Sequence, residues 1–518
     1  MTHSMIWHEN DPRTSFESFA FEEALDLNAL IPINKGRKIG EKEREMRAYF
    51  SVCRETLLLR EALLEELLEK PALFEGLEAG FAKLSDLYDL QKEKDSAMTN
   101  ERLLYSVKEL ESYVEFLSEM KELFNRFQPQ SRALQSLWAL LSPLCQGEDF
   151  NALCKAVEEQ VHVVRDVKSI TVGINLNGQL QPTEAGLVAV HTEPFVSGNY
   201  LDKLLRLDPG SKEFTCSAPL LPLQHRLTAE ELGSLRASVN SALGKVFSSA
   251  LRSWSGVIKK HLLGNLHSLL NVFEEWKFVS AVMVSLRELK EGGYPLCKPA
   301  FGEEDKVEGL YHPVLALASE KKNAVVENDL AFSAARRQYI LTGPNQGGKS
   351  IYTQSVGLLY AMLHLGLLLP AKSAAVTPVD AILVHFVDIR GKSYVHGRLS
   401  DECLQISELN RVITKDSLFL FDEALSSTDA TEATAIASEI LAAYGEIGAK
   451  GIFTTHFHDL CRLEGEISTL HNLTAQLEET SHRRVFRILP GSGGKSYAKD
   501  IARAYGLTKE EILQSRKK

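Results

Sequence analysis

Residues 342–350 read TGPNQGGKS, and this stretch narrows the fold further than any other. Gly343, Gly348, Lys349 and Ser350 satisfy the spacing G-x-x-x-x-G-K-S. A strand-like run, RQYIL, precedes it, and a helix-like run, SIYTQSVGLLYAML, follows. Glycines let backbone N–H groups converge on phosphate oxygens without a side-chain clash. The helix behind them adds unpaired N–H groups and a positive dipole end. Strand, loop and helix in that order predict a nucleotide site with Gly343, Pro344, Asn345, Gln346, Gly347 and Gly348 as the cradle. Lys349 is placed to neutralise the β- and γ-phosphates, and Ser350 to hold Mg²⁺.

The surrounding chain supports an α/β unit. From about residue 305 strand-like runs alternate with helix-like ones: YIL, AILVHFV, SLFLFD, GIFTT and VFRIL. Such alternation predicts a mainly parallel sheet. SLFLFDE, at 417–423, is an apolar strand ending in two carboxylates. Asp422 would lie beside the loop and hold the Mg²⁺ water shell, and Glu423 would polarise an attacking water. By itself such a run is equally a buried strand with an exposed acidic turn; the loop upstream favours the functional reading. GIFTTHFHDL ends another strand at His456, where an imidazole reaches a γ-phosphate or its water. A metal held by His456 and His458 is disfavoured, because side chains two apart on extended backbone point to opposite faces. The guanine-recognition pattern N/T-K-x-D is not met, since ITKDS has Ser417 at the Asp position.

A second GGKS closes the stretch GSGGKS at 491–496. Leu489 stands where a phosphate loop needs its first glycine, and no second Asp-Glu strand follows. It therefore reads as a look-alike, with Ser496 as the N-cap of a following helix.

At 518 residues the chain is long enough for three to four units at roughly 150 residues each. Hydrophobic content of 44% is that of a globular protein. No stretch approaches the roughly 20 apolar residues a membrane span needs, and the polar start lacks a signal-peptide core. The expected location is the cytoplasm, with nucleoid association in a bacterium. Seven cysteines occur without any C-x-x-C, which argues against a zinc ribbon or a disulfide framework. A net charge of −11 disfavours a general nucleic-acid coat but leaves room for a local basic surface. The best such stretch, NKGRKIGEKEREMR at 34–47, is diluted by three glutamates.

Residues 41–160 carry helical periodicity, as in TLLLREALLEELLEK, which Pro71 stops. A periodic run from about Leu77 to Phe127 is long enough for levers or antiparallel pairs. Near residue 162 the texture turns rich in Val, Ile and Thr, and NLNGQL signals a hairpin. Helix resumes at Thr228, where Glu231 completes a capping box, and runs to Gly292–Gly293.

The series YHPVL, VVENDLAF, YILTGPNQGGKS, GRLSDE, LFLFDEALSSTDATEA, FTTHFHDL and GGKSYAKDIARAYGL resembles the ATPase domain of the MutS family of DNA mismatch-repair proteins, relatives of ABC-type ATPases. The resemblance covers most of 305–515. It implies a multidomain α and α/β fold. An N-terminal helical core or lever region spans 1–161 and a small β-rich, clamp-like insert 162–225. Returning helices span 226–304, and an ABC-type P-loop ATPase domain with a mainly parallel sheet spans 305–518. The implied cofactors are ATP and Mg²⁺. The implied assembly is a homodimer through the ATPase domain, with each site built from Lys349, Ser350, Asp422, Glu423 and His456. Ser400, in the position of the signature serine, would approach the partner's γ-phosphate, and residues 425–431 would lie at the seam. The implied partners are DNA, recognised by structure rather than sequence, and a repair or recombination protein.

This sequence also departs from the family. It shows no counterpart of the family's N-terminal mismatch-reading domain, and SFESF at 15–19 reads as a polar tail. The signature segment reads GRLSDE where the family has Ser-Thr-Phe after the glycine; Asp401 and Glu402 would lie near a polyanion or occupy the first helical turn as acidic caps. Val325 stands where the family places an aromatic for adenine stacking. The expected function is an ATP-hydrolysing conformational switch on mismatched, branched or junction DNA. The alternative is an ATP-binding regulatory or scaffolding protein whose helical arms hold a protein partner with little hydrolysis.

Overall fold

The computed structural model describes residues 4–13, 17–19, 21–32, 46–95, 99–165, 168–194, 255–319, 325–344, 347–386, 397–477 and 484–492, with 233–234, 238–239, 242–243, 507, 509 and 512. The capping box at Thr228, most of the basic stretch, and Ser496 lie outside them. Two compact units emerge. One comprises Met1–Met5, Lys70–Gln130 and Leu134–Trp276; the other comprises Ile6–Glu69, Ser131–Ala133 and Lys277–Lys518. The longer helices among the described residues, in chain order, are α1 (Arg54–Glu69), α2 (Pro71–Asp95), α3 (Thr99–Arg126), α4 (Arg132–Cys145), α5 (Glu148–Arg165), α6 (Ser255–Glu291), α7 (Lys349–His364), α8 (Arg398–Asn410) and α9 (Ala430–Ile447).

In the first unit the periodic run from Leu77 supplies most of α2 and all of α3, which pack antiparallel. Gly76 lies against Leu123, Gly80 against Met120, and Lys83 pairs with Glu115 at 2.8 Å. Those glycines let the two backbones approach closely. Phe81 stacks on Trp276 at 4.7 Å between ring centroids and fills the space beneath. Pro71 opens α2 as well as ending the run before it, because a first-turn position needs no N–H partner. The hairpin signal is realised as β2 (Ser169–Leu176) against β3 (Pro182–His191), antiparallel. Its turn is wider than a two-residue Asn-Gly turn. Asn177 Oδ1 accepts from the backbone N–H of Gln179 and of Gln181, both at 2.9 Å. The Asn side chain, rather than its backbone dihedrals, organises the reversal.

The second unit holds a parallel-rich sheet. Its strands are β1 (Glu17–Phe19), then β7 (Gln338–Thr342), β9 (Ala381–Phe386), β10 (Leu418–Asp422), β11 (Lys450–Thr454), β12 (Leu470–Leu477) and β13 (Arg484–Pro490). They lie in the order β1-β9-β10-β11-β7-β12-β13, parallel except for the β12–β13 pair. All five strand-like runs named from the sequence form strands here. The segment read as a polar tail supplies β1: Glu17–Phe19 pairs with Ala381–Leu383. Three residues are too few to show a period, and the pairing partner is hundreds of residues away. A smaller sheet, of order β4-β8-β5-β6, joins β4 (Pro299–Ala300), β5 (Asp305–Leu310), β6 (Asn328–Phe332) and β8 (Ser373–Ala375).

Central strands β7 and β11 are buried along their whole length, as parallel strands covered on both faces must be. The α7 helix is buried on nearly every side. Gly357 permits this packing: a Cβ there would stand 2.6 Å from Leu25 and 2.9 Å from Leu420. A core of Phe419, Phe421, Phe453, Ile406, Leu409 and Leu425 joins β10 and β11 to α8. These layers leave the carboxyl ends of β10, β11 and β7 side by side, the usual place for a ligand on an open parallel sheet.

Candidate nucleotide site

The loop after β7 has the backbone its sequence demands. Gly343 has φ 134° and Gly348 φ 89°, a region that side chains beyond glycine rarely adopt. A Cβ on Gly347 would stand 2.8 Å from the Pro344 carbonyl oxygen. Asn345 and Gln346 lie outside the described residues. Gly348 is the N-cap of α7 and makes no side-chain cap, so the first N–H groups of a 16-residue helix face the loop. Lys349 is buried, and its Nζ donates to the carbonyl oxygens of Gly343 and Pro344 at 3.1 Å each. Burial pushes its pKa down, opposed by the nearby Glu423 and Asp422 carboxylates.

The carboxylates arrive from β10. Asp422 ends the strand, with its carboxyl pushed up by burial and pulled back by a hydrogen bond from Ser350. Its Oδ1 is buried with no hydrogen-bond partner among the described residues. An orphaned anionic oxygen beside a serine hydroxyl is an oxygen-only donor set, and it fits a hard divalent cation such as Mg²⁺. Glu423 follows in the left-handed region, at φ 54°, its N–H donating to the Thr454 carbonyl at 2.9 Å. That turn brings Glu423 Oε1 to 2.6 Å from His456 Nε2. The His456 hydrogen bond holds the Glu423 carboxyl below its ordinary value. Thr353 of α7 bonds Thr454 at 2.9 Å, so the helix is fixed to the strand that carries His456.

Lys349, Ser350 and Glu423 line one cleft of about 650 Å³. Its other end is apolar, with Leu310, Leu315, Val325, Val326, Ile351 and Phe486. Val325 offers no ring there; Phe486 does. It is 43% exposed, has φ 54°, and packs against Gly348. Asn328 clamps its strand from β6, donating to the Phe486 carbonyl at 3.2 Å and accepting from the Ile488 N–H at 2.8 Å. Sequence reasoning missed Phe486 because VFRIL shows only a strand; its strained backbone and its place over Gly348 are tertiary facts.

Ser400 lies exposed in the first turn of α8, outside this cleft. Asp401 sits in the same first turn. Glu402 turns inward: it is buried and bonded to the Leu425 N–H and to Arg398. Asp429 caps α9 by accepting from the Thr431 N–H at 2.8 Å, which fixes the far end of the turn after Glu423.

The family model for MutS domain V matches residues 339–518. The chain is 31% identical over 233 residues to the DNA mismatch repair protein MutS of Chlorobium phaeobacteroides, covering 43% of this chain and 26% of that protein. It is 32% identical over 265 residues to the namesake in Fervidobacterium nodosum, covering 49% and 30% respectively. For Thermosipho melanesiensis the identity is 29% over 291 residues, covering 54% and 34%. The chain thus matches between a quarter and about a third of the length of these relatives.

Proposed function

We propose, from the match of residues 339–518 to the family model for MutS domain V, that this MutS-like chain is an ATP-hydrolysing conformational switch acting on DNA in repair or recombination. The observation that carries this reading is the convergence of three strand ends: Gly347, Gly348, Lys349, Ser350 and Glu423 line one cleft, Ser350 bonds Asp422, and His456 bonds Glu423. Residues 305–518 would form an ABC-type P-loop ATPase domain. The helical regions 1–161 and 226–304 would act as core and levers, and 162–225 as a clamp-like insert.

In this scheme the loop N–H groups and the α7 N-terminus bind the phosphates, and Lys349 balances their charge. Ser350 and Asp422 would hold Mg²⁺, which supplies charge neutralisation on the phosphate oxygens. Glu423, ionised at neutral pH, accepts a proton from the attacking water, and His456 orients its carboxylate. Phe486 would stack on the base in place of Val325. Two copies would pair through this domain, with Ser400 meeting the nucleotide held by the other copy. Closure would then move the levers and whatever they grip.

ATP turnover with no DNA, with a mismatched duplex and with a four-way junction tests this. Glu423→Gln should lower turnover roughly 10²–10⁴-fold while nucleotide binding persists. A wild type that hydrolyses nothing under any condition sinks the enzyme. Stimulation by DNA should weaken steeply with salt, since phosphate contacts release counterions.

One observation favours the alternative, a nucleotide-binding scaffold with a protein partner. The hairpin exposes Val172, Ile174, Leu176, Leu180 and Val188, and its described residues include one lysine, Lys168, against Glu184 and Glu193. Such a surface suits an apolar protein face better than phosphates. Turnover indifferent to every DNA would favour it.

A further inference from the structure

We infer that Glu402 is a positioning residue that sets the geometry of Glu423, by tying the first turns of α8 to the turn after β10. The contact stands without any assumption about activity; its consequence for hydrolysis rests on the function proposed above.

The turn is strained. Glu423 has φ 54° and Leu425 φ 63°, and neither is glycine. L-residues in that region are disfavoured and persist where their surroundings over-determine them. Three restraints are present. The Glu423 N–H is held by the Thr454 carbonyl at 2.9 Å. The Leu425 side chain is fully buried in the core with Ile406 and Leu409 of α8. The Leu425 N–H donates to Glu402 Oε2 at 3.0 Å. This last bond is buried, so losing the acceptor would leave a backbone donor dry and unsatisfied.

Glu402 is itself fixed. Its side chain is 7% exposed, and Arg398 Nε, on the more open side, donates to Oε1 at 3.3 Å. One oxygen thus faces the α8 terminus and the other the catalytic turn. Ser400 and Arg398 lie on the same first turn, so a displacement of that turn is passed to the Leu425 N–H and on to Glu423. The carboxylate that a charge argument sets against a polyanion is instead an internal strut.

The test compares Glu402→Ala, Glu402→Asp and Glu402→Gln in the full chain. Gln keeps the reach to Leu425 but not the charge; Asp keeps the charge but not the reach. Expected is a fall in kcat of about tenfold or more for Ala and Asp, as misplacement of a reacting group produces, with KM and the affinity for a non-hydrolysable ATP analogue unchanged. Gln should restore most of kcat. Hydrogen exchange in peptides covering 423–428 should quicken in Ala and Asp, as an opened turn requires, and stay near wild type in Gln. Asp performing as well as Gln, or exchange unmoved in both Ala and Asp, overturns the inference. If the wild type hydrolyses no ATP, the functional reading fails while the exchange comparison still decides the role of Glu402. If Ala does not fold, the Asp–Gln ranking carries the decision.

Discussion

The 2.6 Å bond between Glu423 and His456 ties the proposed base to pH. Its hydrogen bond is the largest influence on the Glu423 carboxyl and keeps it below the ordinary 4.5, against a smaller upward push from burial. The sign follows from linkage. A depressed carboxyl adds stability above its unfolded value, and that contribution disappears as pH falls through the lower folded value. In catalysis, the ionised base persists further into acid. His456→Ala removes the hydrogen bond and leaves burial, so the carboxyl should titrate higher. The acid limb of the turnover–pH profile should move to higher pH at reduced rate; a limb that stays or moves to lower pH contradicts the coupling. At this scale Gly343, Gly348, Lys349 and Ser350 are legible as candidates from motif spacing, and Asp422, Glu423 and His456 from their places at the ends of strand-like runs, because a phosphate site would restrict residue types there. Phe486, Asn328 and Glu402 are not, because their roles depend on side chains from other elements.

Between elements, the buried pair Lys450–Asp305 joins the start of β11 to β5 at 2.6 Å, with side chains 6% and 3% exposed. Tyr360 of α7 donates to the same Asp305 oxygen at 2.7 Å, and the Thr377 N–H to the other at 2.6 Å. Removing one partner of such a pair strands a buried charge. Lys450→Met should therefore cost about 3–5 kcal/mol in urea unfolding. Lys450→Met with Asp305→Leu should recover a large part, although the Tyr360 and Thr377 donors then lose their acceptor. A single substitution no worse than the double would refute a stranded charge. Here the sequence is only partly legible. Strands β7, β10 and β11 show as apolar runs because both their faces are covered. LHNLTAQL, which forms β12, mixes polar and apolar residues, and β4 and β8 of the small sheet are too short to show a period.

For the whole molecule, the proposed dimer makes a direct prediction. Glu423→Gln with ATP and Mg²⁺ should show twice the monomer mass by light scattering, and Lys349→Ala, impaired in nucleotide binding, should not. Equal masses in both would remove nucleotide-driven pairing from the scheme. The order of segments, helical first and alternating strand and helix last, follows from periodicity in the chain alone. So do the glycine-rich loop and the paired carboxylates, because the left-handed backbone at Gly343 and Gly348 and an apolar strand ending in acids are local patterns. The tertiary structure decided what pairs with what. It brought Glu17–Phe19 to the edge of a distant sheet, set Phe486 over Gly348, and turned Glu402 inward to hold Leu425. The physical reason is common to all three. Strand partners, stacking faces and buried hydrogen-bond acceptors are satisfied across long sequence separations, where no local pattern records them.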